Sequence, residues 1–99
     1  MKWKMVYRPF VKYDLQKAMY YYKAISPNLA KDFLNRVKES EKYISQNPFG
    51  DDVMYKQIRM HNLKQFPYHI HYFVDDENKK IVILAVTFSK RENLNFSDR

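Results

Sequence analysis

The chain has 99 residues, with 18 Lys+Arg against 11 Asp+Glu, a formal charge of +7 and a pI near 9.6. That length makes one small domain, burying about two-thirds of its unfolded surface and leaving no room for a second domain or a large cofactor. The absence of cysteine excludes disulfides, thiolate metal sites and thiol catalysis, and the single glycine, Gly50, excludes the glycine-rich phosphate cradles of Rossmann and P-loop proteins.

Residues 2–8 alternate, with Trp3, Met5 and Tyr7 on one side and Lys2, Lys4 and Val6 on the other, so the spacing predicts a first strand. From Phe10 the period changes to that of a helix, with Leu15, Ala18, Met19, Tyr22 and Ile25 forming one stripe and Lys12, Lys17 and Lys23 off it. Ser26-Pro27 offers a capping hydroxyl and a proline preset for a first helical position, predicting a second helix there. Its stripe is Leu29 or Ala30, Phe33, Val37, Ser40 and Ile44, and Asn47-Pro48 ends it before Gly50. So short a junction predicts an antiparallel helical hairpin.

The second half reads as sheet. One strand is expected over 54–61, with Ile58 and Met60 on one face and Arg59 and His61 on the other. A second is expected over 66–74, with Phe66, Tyr68, Ile70, Tyr72 and Val74 opposed to His69, His71 and Phe73. Residues 81–88 are apolar on both parities, which predicts a central strand covered on both sides. DDENKK between these two strands suits a hairpin. The expected fold is α+β, ordered β-α-α-β-β-β over residues 1–99, with the helical hairpin on one face of a mainly antiparallel sheet. No apolar run reaches membrane-spanning length and no apolar leader opens the chain, so a soluble, unprocessed, cytoplasmic protein with no membrane partner is expected.

Charge is uneven: residues 1–50 carry 10 Lys+Arg and 4 Asp+Glu, a net +6, whereas 51–99 carry 8 and 7, a net +1. The helix lysines at 12, 17, 23, 31, 38 and 42 read as a solvated face that can also meet an acidic peptide or nucleic acid. If the strands over 54–61 and 66–74 pair with each other, Arg59 and His61 are expected near His69 and His71 on the sheet face away from the helices. That grouping would suit phosphodiester chemistry, with imidazoles moving protons and arginine stabilising transition-state charge; the plainer reading is an ordinary solvated face. His69-x-His71 with His61 gives a bare minimum of zinc ligands, but no acid or thiolate has an obvious place beside them, so no metal and no cofactor are expected. Lys90 and Arg91 follow directly where the last strand ends, a position that can fix cations for a phosphate.

Taken in order, Arg8-Pro9, Asp14-Leu15, Tyr21-Tyr22, Phe33, Asn47-Pro48 with Gly50, Ile58-Arg59, Phe66-Pro67-Tyr68 with Ile70 and Tyr72, Ile83-x-Ala85-Val86 and Lys90-Arg91 resemble the RelE/ParE superfamily of type II toxin-antitoxin toxins. The resemblance spans nearly the whole chain. It implies a small basic toxin held inactive by a cognate antitoxin whose extended or helical segment wraps it. RelE-like members cut mRNA in the ribosomal A site with Lys, Arg and sometimes Tyr or His; ParE-like members poison DNA gyrase without a known acid-base pair. By position, Arg59 matches the common strand arginine, Lys90 and Arg91 the terminal basic pair, and Lys56 more loosely a second-strand lysine; His71 joins them if the chain is a nuclease. Many relatives place His or Tyr just before the basic pair, where this chain has Phe88-Ser89, and phenylalanine transfers no proton. The ending RENLNFSDR keeps the frame of the family's terminal segment with an acid and an Asn substituted. The long helical hairpin and the FPYHIHY strand are closer to the ParE-like branch. Three readings follow: a gyrase poison, a ribosome-dependent mRNA endonuclease, or an inactive binding module. The sequence leaves homodimerisation open.

Overall fold

A computed structural model describes residues 3–89. The elements are β1 (Lys4–Tyr7), α1 (Pro9–Ile25), α2 (Pro27–Gln46), β2 (Val53–Tyr55), β3 (Ile58–Asn62), β4 (Tyr68–Asp75) and β5 (Lys80–Phe88). They form one five-stranded sheet in the order β1-β5-β4-β3-β2, with β1 parallel to β5 and the other neighbours antiparallel. The α+β architecture and the central position of residues 81–88 are as expected.

Arg8 is extended ahead of Pro9, whose fixed φ starts α1. Val11, Ala18 and Tyr22 bury one stripe of α1. Ile25, expected on that stripe, is the last residue before the turn into α2 and is 62% exposed. Ser26 joins the helices, but its hydroxyl makes no capping bond; its carbonyl instead accepts from the amides of Leu29 (3.1 Å) and Ala30 (3.3 Å). α2 buries Ala30, Phe33, Val37, Ser40 and Ile44, the stripe read from its spacing. Against both helices the sheet presents Ile70, Tyr72, Ile81, Ile83 and Val86, with Leu63 and Phe66 from the β3–β4 loop. Phe33 sits at the centre, 0% exposed, its ring 5.3 Å from Phe66, 5.2 Å from Tyr68 and 5.4 Å from Tyr22.

Two side chains tie the layers together. Tyr7 of β1 donates to the Glu41 carboxylate of α2 at 2.8 Å. Asp14 of α1 accepts from the Val86 amide at 3.0 Å, on a stretch of β5 beyond the residues that β1 pairs. An edge amide that would otherwise lack a strand partner is thereby satisfied.

Residues 54–61 are not one strand. Lys56 and Gln57 take φ values of 44° and 67°, turning the chain into a tight hairpin, so β2 and β3 pair with each other. Two successive left-handed residues usually call for Asn or Gly, and neither is present to signal the turn. A second irregularity lies in β5: His71 is opposite Ala85 and Tyr72 opposite Ile83, leaving Leu84 without a partner. The bulge reverses the side-chain parity of β5. Ile81, Ile83 and Val86 therefore face the helices, while Val82 and Leu84 join Ile58, Val6, Tyr55 and Phe73 in a small apolar cluster on the other face. Gly50 has no positive φ; a Cβ there would stand 2.8 Å from the Tyr43 hydroxyl, so packing rather than backbone conformation favours glycine.

Candidate functional site

The register of β3 on β4 sorts the predicted site residues onto two faces. Arg59 is opposite Tyr72 and His61 opposite Ile70, whereas Asn62 is opposite His69 and Met60 opposite His71. Directly opposed residues share a face. Arg59 and His61 thus lie with Tyr72 and Ile70 on the helix side, and His69 and His71 on the open side. The expected grouping of all four on one face is incorrect, because the pairing is offset by one residue from the one that would join them.

On the helix side the loop between α2 and β2 is clasped to the sheet. The Asp51 carboxylate accepts from the Tyr72 hydroxyl at 3.0 Å and pairs with His61 Nδ1 at 3.0 Å. The His61 ring stacks on Tyr43 at 5.0 Å. Arg59 donates to the backbone carbonyls of Asp51 and Phe49 and lies 5.3 Å over the Phe49 ring. Burial, followed by the Asp51 charge, pushes the Tyr72 phenol far above its usual range, so it remains a donor at all ordinary pH.

On the open side, three strands bring a polar chain together. His71, 4% exposed, has Nε2 2.8 Å from Thr87 Oγ1 of β5 and Nδ1 3.4 Å from the Tyr55 hydroxyl of β2. His69 pairs through Nδ1 with the Asn62 amide oxygen, and its ring meets that of His71 edge-on at 6.3 Å. Burial lowers the His69 pKa, favouring its neutral form. A hydroxyl–imidazole–hydroxyl chain of this kind can pass a proton. Lys56, exposed in the β2–β3 turn, follows Tyr55 directly in sequence. Lys90 and Arg91 lie outside the described residues.

His61 stands on the opposite face from His69 and His71, so the three imidazoles do not converge. Among the described residues no group of three or more His, Cys, Asp or Glu is placed to hold a metal ion. Tyr55, Thr87 and Asp51 were not singled out from sequence. Thr87 is hidden by the bulge: simple alternation from Val82 and Leu84 puts Val86, not Thr87, beside the histidines.

A second feature is a groove of about 620 Å³ along the start of α1, where Tyr7, Val11, Leu15, Met19 and Leu34 form apolar walls and Arg8 and Lys12 supply cations. It opens on the basic half of the molecule.

No protein-family model matches the sequence, and no curated protein matches it. Solved structures do resemble it. A chain of a chromosomal ParDE toxin-antitoxin system from P. aeruginosa has 20% identity and a TM-score of 0.77, covering 89% of this chain and 97% of that one. A chain of the toxin-antitoxin complex RelBE2 from Mycobacterium tuberculosis has 18% identity and a TM-score of 0.59, covering 89% and 99%. The E. coli toxin RelE, a mutant in the free state, has 12% identity and a TM-score of 0.57, covering 91% and 86%. The protein has the fold of the RelE/ParE toxins.

Proposed function

We propose that this protein is the toxin of a type II toxin-antitoxin system, acting on DNA gyrase in the ParE manner and held inactive by a cognate antitoxin. The observation that carries the ParE-like reading is the placement of Arg59. The strand arginine that a nuclease would use on the open face is turned to the helix side and engaged with Phe49 and Asp51. The open face thus has its proton-passing chain without that cation to stabilise phosphate charge. The higher structural similarity to the ParDE chain supports the same branch. An acidic, apolar-anchored antitoxin segment fits the groove beside α1, where Arg8 and Lys12 supply complementary charge.

The alternative is a ribosome-dependent mRNA endonuclease, favoured by the Tyr55–His71–Thr87 chain with Lys56 nearby in sequence. Supercoiling by purified gyrase separates the two. The gyrase reading expects inhibition or trapped cleaved DNA, relieved by the antitoxin; full supercoiling at high protein excess contradicts it. Cleavage of ribosome-bound mRNA that is lost in His71→Ala would instead establish the nuclease.

A further inference from the structure

Helix α1 is packed on one side only. Val11, Ala18 and Tyr22 face the core, while Tyr13, Lys17, Tyr20 and Ala24 follow an i, i+4, i+7, i+11 rhythm along the opposite side, all exposed. Tyr13 is 62% and Tyr20 80% exposed, and no described residue hydrogen-bonds to or stacks on either. Tyr21, 59% exposed, stands beside Tyr20. Lys12 and Lys23 flank the row, and Asp14, the one acid of α1, is turned away to the Val86 amide. The face therefore presents rings and cations with no opposing exposed carboxylate on the helix.

We infer that this outer face of α1 binds single-stranded nucleic acid without sequence preference, bases stacking on Tyr13 and Tyr20 while phosphates meet Lys12, Lys17 and Lys23. The spacing decides between partners. Tyr13 and Tyr20 are about 10 Å apart along the helix axis, with Lys17 about 6 Å from Tyr13 between them. A protein groove is best matched by a continuous apolar ridge, whereas rings interrupted by a cation match a polyanion that carries flat π faces. A second copy of this chain would bring lysine rows against each other, which repels. The inference goes beyond the toxin reading and does not depend on its target; Lys12 and Tyr13 also line the groove assigned to the antitoxin, so antitoxin and nucleic acid would compete at that end of the face.

The test is fluorescence anisotropy of labelled oligo-dT and oligo-rU of about 15 nucleotides with the full chain. Binding to both should be similar, and its logarithm should fall with log salt at a slope of about −2, as expected for three lysines on a single strand. Tyr13→Ser/Tyr20→Ser should weaken binding at least about tenfold with an unchanged circular dichroism spectrum. Lys79→Gln/Lys80→Gln, at the β4–β5 turn and outside both helices, should alter it by less than about threefold, since charges off the helical face contribute only screened attraction. Equal binding by the tyrosine double variant, or equal competition by polyglutamate, would reduce the effect to general electrostatics and overturn the inference. A preference of more than about tenfold for one sugar type would overturn the base-and-phosphate account. Concentration-dependent self-association abolished by Tyr20→Ser would assign the face to a second copy instead and likewise overturn it.

Discussion

If Arg59 clasps the α2–β2 loop, its removal should cost stability first. Arg59→Ala deletes a charged donor to two backbone carbonyls, Asp51 and Phe49, and a guanidinium 5.3 Å over the Phe49 ring. Hydrogen bonds to charged groups contribute about 1.5–3 kcal/mol when well made, and the 3.4 Å contact to Phe49 counts for little of that. The ring contact adds about 0.5–1 kcal/mol. Because the side chain is half-buried, water recovers part of the loss, and the expected change is about 2 kcal/mol. In a domain of this size, whose total stability is about 5–15 kcal/mol, that is readily measured. Urea unfolding followed by circular dichroism should show a lower midpoint with an unchanged slope, and Arg59→Lys, which keeps one donor, should lie between. A variant within about 0.5 kcal/mol of the parent that nonetheless fails to arrest growth would refute this reasoning and place Arg59 in the functional machinery.

Phe33→Ala, at the centre of the aromatic core, should cost about 3–5 kcal/mol by thermal or urea unfolding. Lys56→Asn/Gln57→Gly should raise the melting temperature, since it relieves left-handed strain of about 1–2 kcal/mol per residue and installs a favoured hairpin turn; a lower melting temperature would contradict the turn. Burial lowers the His69 pKa from its ordinary value, so the unfolded chain takes up its proton first. The stability attached to His69 is complete above about pH 6.5 and is lost as the pH falls below it, and His69→Gln should flatten the stability profile there. For Tyr72 the shift is upward: above about pH 10 the unfolded chain ionises first, so stability falls with rising pH, less steeply in Tyr72→Phe.

The helical half was legible because its signals are local. The change of period at Phe10, Ser26-Pro27 and Asn47-Pro48 mark both helices, and the stripe from Ala30 to Ile44 gave the buried face of α2 directly. The faces of β4 were equally readable from alternation, with Ile70 and Tyr72 in the main core as expected. What alternation cannot carry is register. Whether Arg59 meets His71 or Tyr72 depends on the β3–β4 pairing, and a shift of one residue moves every side chain to the other face. The β2–β3 turn escaped notice because Lys56-Gln57 carries none of the usual turn chemistry, and Thr87 because one bulged residue, Leu84, changes parity within an unbroken apolar run. The Asp51 clasp joins residues that are 10 and 21 positions apart, beyond any local pattern.

Plasmid supercoiling by gyrase in the presence of the purified chain, with and without its antitoxin, separates a gyrase poison from a nuclease. Supercoiling should stop or cleaved DNA accumulate, antitoxin should restore activity, and transcripts in arrested cells should stay intact. Undisturbed supercoiling together with mRNA cut within ribosome-bound codons would contradict the gyrase reading.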